Sequence, residues 1–172
     1  MDGSINPLML KNRPEVILMV YGKGGHAAQM TRFINGAPEE LKSIPFIALT
    51  DVETKDNNFI RQFYCVEARD KFSHFKNIII FILYFFWSLA QITRIMINYR
   101  VIAMISTGPG VAVVPGIICR LFNIKVVYFE SWSRVFTPSL AGKVMYHIAN
   151  LFFIQHESLK KHYPKSRFFG RL

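Results

Sequence analysis

The run Val16-Ile17-Leu18-Met19-Val20-Tyr21-Gly22-Lys23-Gly24-Gly25-His26 decides how the rest of the chain is read. Its apolar half, rich in Val, Ile and Leu, reads as a buried strand, and the glycines that follow mark a tight turn. The turn opens a helix. Glycine lets the backbone come close to a ligand, and unpaired N–H groups at a helix start suit an anion such as phosphate. His26 stands where that helix begins, and the positive helix end favours the neutral imidazole that a general base needs. A nucleotide-binding turn with an incidental histidine fits the same spacing, so the turn alone leaves both readings open.

Working outward, 172 residues suit one domain with a real core. Hydrophobic residues make up 51% and aromatic residues 15%, rich enough that some apolar surface is expected to meet something outside the domain. Lys and Arg outnumber Asp and Glu by 21 to 11, and the net charge of +10 predicts attraction to a membrane, a nucleic acid or a phosphorylated substrate. No nucleic-acid module is visible, which makes nucleic acid the least favoured of the three. Met1 to Pro7 lacks the parts of a secretory signal, so a cytoplasmic-facing domain is expected. Cys65 and Cys119 are far apart and read as reduced and structural; His74, His147, His156 and His162 also lack metal-ligand spacing.

Strands are predicted at 45–50, 61–66 (the weakest), 101–106, 125–129 and 151–154, with helices at 27–34, 111–122 and 140–149 and a helical turn at 155–161. Strands alternating with helices, and glycine turns at strand carboxyl ends, predict a single α/β domain over 1–172 with a doubly wound, mostly parallel sheet. Its functional residues should line one edge.

The middle of the chain is anomalous. From Asn77 to Thr93 no side chain is charged, and Ile78 to Trp87 is apolar on every face of a helix. Its length is at the lower edge of a bilayer span, which needs roughly 17–20 residues. A crossing would put the Gly22–His26 turn and the later Thr107–Gly110 turn on opposite sides of a membrane, where they cannot share a sheet. The reading is a helix near 72–98, packed on the sheet by one side and dipped into the membrane interface by the other through Ile78, Phe81, Ile82, Phe85, Phe86 and Trp87. Tyr84 and Trp87 would lie at headgroup level, with Lys71, Lys76, Arg94 and Arg100 near phosphates. Burial in a subunit interface is the alternative.

Several blocks in order carry a resemblance: Gly24-Gly25-His26, Ser106 to Gly110, Tyr128-Phe129-Glu130-Ser131-Trp132-Ser133-Arg134-Val135, Ser139 to Lys143, and Tyr163-Pro164 through Gly170-Arg171-Leu172. Together they resemble the acceptor-side subunit of bipartite GT-B glycosyltransferases. These are the PssD-type polysaccharide-biosynthesis subunits of bacteria and, in eukaryotes, the membrane-anchoring half of the UDP-GlcNAc transferase of the dolichol pathway; MurG is similar and joins both halves. The resemblance implies a Rossmann-like fold, the N-terminal acceptor half of a GT-B enzyme. It implies a PssE-type partner that binds most of the UDP-sugar, a lipid-diphosphate saccharide acceptor, an anionic membrane surface on the cytoplasmic face, and peripheral or monotopic attachment. Inverting transfer with no metal and no cofactor beyond the UDP-sugar co-substrate is expected, in agreement with the lack of an Asp-x-Asp motif. Lys23 stands where many members have Ser, and Gln29 where eukaryotic members often have Glu, which aligns the chain with the bacterial branch. No long anchor is expected before the first strand, and Gly170-Arg171-Leu172 looks like the lead-in to a second domain.

In that setting His26 is the candidate base for the acceptor hydroxyl, or a residue that hydrogen-bonds the acceptor without moving a proton. Glu130 either orients His26 or binds sugar hydroxyls, or else caps the following helix. Gly24, Gly25, Thr107, Gly108, Pro109 and Gly110 form a candidate backbone cradle for acceptor diphosphate or sugar, or a plain chain reversal. Ser131 and Arg134 are candidate acceptor contacts, since Arg matches phosphate geometry, though Arg134 also suits an ordinary surface position. Phe168, Phe169 and Leu172 are candidates for docking the partner, against a frayed tail. The rival function is a non-catalytic membrane scaffold that recruits and activates a partner transferase. An NAD-dependent oxidoreductase fits less well, because no acidic residue is well placed beyond a second strand.

Overall fold

The computed structural model describes residues 13–53, 55–65 and 74–172, with side chains in the central helix from residue 83 onward. Seven parallel strands form one sheet: β1 (Glu15–Tyr21), β2 (Phe46–Thr50), β3 (Arg61–Tyr64), β4 (Arg100–Ser106), β5 (Lys125–Phe129), β6 (Leu151–Ile154) and β7 (Arg167–Phe168). The helices are α1 (Gly25–Gly36), α2 (Glu39–Lys42), α3 (His74–Asn98), α4 (Val113–Leu121) and α5 (Leu140–Ile148). The doubly wound expectation holds. α2 was not anticipated, although Pro38-Glu39-Glu40 is a helix-start signal.

The order across the sheet is β3-β2-β1-β4-β5-β6-β7. β1 is central and buried from Val16 to Tyr21, which is why its sequence is continuously apolar instead of alternating. Val16, Leu18 and Val20 face a core shared with Ile92 and Ile95 of α3, Val114 of α4 and Met145 of α5. Ile17, Met19 and Tyr21 face the other way, onto Met30 and Ile34 of α1. Each such fully buried side chain contributes about 1.5–3 kcal/mol, so the central strand alone strongly favours this layering.

The chain runs outward from β1 to β3, then returns through α3 to place β4 on the other side of β1. That reversal makes a topological switch point at the carboxyl ends of β1 and β4, the position where ligands bind in open α/β sheets. The two glycine turns of the sequence flank it.

Cys65 and Cys119 are buried free thiols. Burial pushes both thiols up to about 12, aided at Cys65 by Asp51, and burial likewise raises the Tyr21 phenol to about 12. The folded chain therefore favours the neutral groups, whereas an unfolded thiol ionises from about pH 8.5. Stability is full below that value and falls as pH rises toward 12. A lower urea midpoint at pH 10.5 than at pH 8 is the expected reading, and an equal midpoint contradicts it.

Candidate functional site

His26 lies in the first turn of α1, whose N-cap is Gly24 at φ 67°, ψ −124°, a backbone conformation that favours glycine. No side chain caps this helix start and no acidic residue occupies its first turn, so its positive end is not neutralised from within. The turn after β4 meets it directly. His26 Nδ1 is 2.7 Å from the Thr107 carbonyl oxygen, and Thr107 Oγ1 donates to the His26 carbonyl at 2.8 Å. A carbonyl only accepts, so Nδ1 carries the hydrogen, and in the neutral ring Nε2 is the lone-pair nitrogen, the arrangement of an oriented base. His26 is half-buried.

Close approach explains the glycines. Gly108 has φ +106°, and a Cβ there would sit 3.1 Å from the Phe129 carbonyl, 3.2 Å from the Ser131 nitrogen and 3.3 Å from His26 Cε1. A Cβ on Gly25 would come 2.9 Å from the Trp132 indole nitrogen. Tyr128, fully buried, donates its hydroxyl to the Gly108 carbonyl at 2.9 Å and fixes the turn from below. Pro109 packs against Gly22, whereas a Cβ on Gly110, which opens a short 3-10 turn, would meet nothing within 4 Å. The structure thus brings together His26, Gly24, Gly25, Thr107, Gly108 and Pro109.

Glu130 does not face His26. It is fully buried, and its Oε1 accepts from the Ser131 N–H (2.9 Å) and Ser139 Oγ (2.7 Å), while Oε2 accepts from Tyr163 Oη (2.8 Å) and the Ser139 N–H (3.3 Å). Ser139 is the N-cap of α5, accepting from the Gly142 N–H at 2.8 Å. The orienting partner of His26 is the Thr107 carbonyl, and Glu130 instead holds the cap and the loop after β5, close to the helix-cap alternative. Burial, reinforced by the Glu130 hydrogen bond, pushes the Tyr163 phenol well up, so it stays a donor. Ser131 is 7% exposed and shares a 3.0 Å hydroxyl contact with Ser133; Arg134 is exposed, and its guanidinium has no hydrogen-bond partner among the described residues.

Gln29 stands one turn along α1 from His26, and the sequence marks it only by its departure from Glu. It is fully buried, and neither amide atom has a partner among the described residues. A charged Glu in that place would be the costlier residue. Gln29→Met, similar in shape, is expected to raise Tm by about 2–4 °C for roughly 1 kcal/mol of relieved desolvation. A lower Tm by calorimetry contradicts that.

On α3, Phe85, Phe86 and Trp87 are 40%, 63% and 49% exposed, whereas the side chains of Ile78, Phe81 and Ile82, like those of Lys71 and Lys76, lie outside the described residues. Tyr84 corrects the headgroup expectation: it is buried and donates to the Val111 carbonyl at 2.8 Å. Trp87 Nε1 donates to the Tyr64 carbonyl at 3.2 Å. Among the described residues, no helix is long and apolar enough to cross a membrane. At the other end, Phe168 on the edge strand β7 is 39% exposed and Phe169 is 81% exposed. Leu172 is tied down at both backbone groups, through Gln155 and Arg32.

With this geometry in place, a family profile described as oligosaccharide biosynthesis protein Alg14 like matches residues 17–172. The chain belongs to the Alg14-like family. It is 28% identical to the UDP-N-acetylglucosamine transferase subunit ALG14 of Rattus norvegicus over 91% of this chain and 82% of that protein. It is 27% identical to the subunit of the same name from Saccharomyces cerevisiae over 99% and 83%. Two solved structures share the fold: MurG of Acinetobacter baumannii (TM-score 0.57, 16% identity, 82% of this chain) and a UDP-N-acetylglucosamine 2-epimerase (TM-score 0.59, 12% identity, 92% of this chain). The chain spans 41% and 48% of those two proteins. Both ALG14 relatives are named as transferase subunits.

Proposed function

We propose that this Alg14-like chain is the acceptor-binding, membrane-associating subunit of a two-chain inverting glycosyltransferase that acts on a lipid-diphosphate saccharide. The observation that carries the reading is the His26–Thr107 pair at the β1/β4 switch point, which in the neutral imidazole leaves the Nε2 lone pair free to take a proton. In the reaction, the acceptor hydroxyl oxygen attacks the anomeric carbon of the UDP-sugar and forms the new glycosidic bond. Its proton passes to His26 Nε2, and the bond to UDP breaks with its electron pair leaving on the diphosphate. The uncapped start of α1 and exposed Arg134 suit the acceptor diphosphate. The donor nucleotide belongs mainly to a separate PssE-type subunit, docked through Phe168, Phe169 and Leu172, and the chain requires no cofactor of its own. Affinity to the bacterial PssD branch is part of the same proposal.

Attachment to the cytoplasmic face of the membrane, peripheral or monotopic, would rest on the exposed side chains of α3 and the net charge of +10. Phe86→Asp is expected to weaken co-sedimentation with vesicles containing anionic phospholipid by about 10-fold, roughly the 1–3 kcal/mol of one inserted aromatic exchanged for a charge. Unchanged sedimentation contradicts the membrane assignment of this helix. The function itself is tested by co-purifying the chain with a PssE-type partner and assaying transfer from several UDP-sugars to a lipid-diphosphate acceptor. Transfer by the pair supports it; failure of any partner to associate overturns it.

A further inference from the structure

The segment after β7 folds back onto the site. The Leu172 N–H donates to Gln155 Oε1 at 3.0 Å, and the Leu172 main-chain oxygen accepts from Arg32 Nη1 at 3.1 Å. Each side chain has a second contact deeper in the chain. Gln155, only 2% exposed, donates through Nε2 to the Glu130 carbonyl at 2.9 Å. The Arg32 guanidinium carbon lies 4.9 Å over the Trp132 ring, and Trp132 is the residue seated so closely on Gly25 that a Cβ would come within 2.9 Å of its indole nitrogen. The Trp132 carbonyl is held in turn by His156 Nε2 at 2.8 Å.

Two short paths of direct contact therefore leave the segment, one through Arg32 and Trp132 to Gly25 of the His26 turn, the other through Gln155 to the loop at Glu130. Phe169, three residues back along the same segment, is 81% exposed and touches the body of the chain through Phe153, with ring centroids 6.0 Å apart. A guanidinium donates in its plane while stacking on an aromatic face, so Arg32 serves both contacts at once. A buried amide with both ends engaged cannot follow a shift of one partner without loosening the other.

We propose that residues 169–172 act as a strap coupling partner docking at Phe169 to acceptor binding at the His26 turn, with Arg32 and Gln155 as its positioning residues. This rests on the proposed function, since it requires that the donor-binding subunit engage this end of the chain. A partner that fixes the strap holds Arg32 over Trp132 and so holds Trp132 on Gly25. Such coupling is reciprocal: acceptor binding must tighten the partner by the same factor as the partner tightens acceptor.

The test measures the dissociation constant of the partner subunit for the full chain, with and without a lipid-diphosphate acceptor. In the wild type, acceptor is expected to tighten the partner by about 5-fold or more, the lower end of usual coupling strengths. In Arg32→Ala and Gln155→Leu the ratio is expected to drop below about 2-fold, and Arg32→Lys should restore part of it because an ammonium also makes a cation–π contact and donates. Arg32 is exposed on α1, so its alanine variant reports even where Gln155→Leu fails to fold. A wild type without coupling, or variants that keep all of it, overturns the strap while leaving the proposed function standing. Absence of any association overturns the proposed function, and the strap with it.

Discussion

Gly142→Ala is expected to destabilise the chain by about 3 kcal/mol or more, read as a drop in the urea midpoint. In an ordinary helix the same change stabilises by up to ~1 kcal/mol, because alanine is the better helix former. Here a Cβ would sit 1.9 Å from Glu130 Oε2 and 2.7 Å from Tyr163 Oη. Neither neighbour yields easily. Glu130 is fully buried and fixed by four hydrogen bonds, and displacing it leaves a buried carboxylate short of donors, a loss on the scale of 3–5 kcal/mol. The larger effect wins, so the sign reverses relative to helix propensity. A Gly142→Ala variant as stable as the wild type would show that the Glu130 cluster does not hold the loop after β5.

His26→Ala is the second large effect, expected to lower turnover of the assembled complex by about 10²–10⁴-fold, the usual contribution of a positioned general base. Partner association and vesicle binding should be unaffected, since neither Phe169 nor α3 touches the imidazole in the described contacts. The scaffold alternative expects undiminished turnover, with all chemistry in the partner. Thr107 adds a control. Its side chain bonds the His26 carbonyl while its backbone carbonyl orients the ring, so Thr107→Val keeps the orienting group and should cost far less than removing His26.

Much of the fold was legible because β1 and β4 to β6 are strong apolar strands bounded by glycine or polar turns, and their parallel pairing follows from the helices between them. The switch point was legible for the same reason, since both glycine turns sit at strand carboxyl ends. The role of Glu130 was not. Its position at the end of β5 pointed to the same edge, yet its partners Ser139 and Tyr163 come from 9 and 33 residues away, and only tertiary packing shows that they surround it. Gly142 was visible within a recurring block, but the reason for it lies in the same cluster. Tyr84 was misplaced because an all-round apolar helix gives no periodicity from which to read the buried side; its hydroxyl turned out to satisfy the Val111 carbonyl. Trp132 stands in a quoted block with no role read for it, and Arg32 and Gln155 carry no local signal, since their link to one another passes through Leu172.

The claim that His26 moves a proton, and does not merely bind the acceptor, is tested most directly by the single-turnover rate of His26→Asn in the complex with its donor-binding partner. Asparagine keeps a donor near the Nδ1 position for the Thr107 carbonyl and removes the Nε2 lone pair. A rate at least about 100-fold below wild type, at saturating acceptor and with acceptor affinity preserved, is the expected result. A rate within a few-fold of wild type would contradict it and leave His26 as a binding residue in a site whose base lies elsewhere.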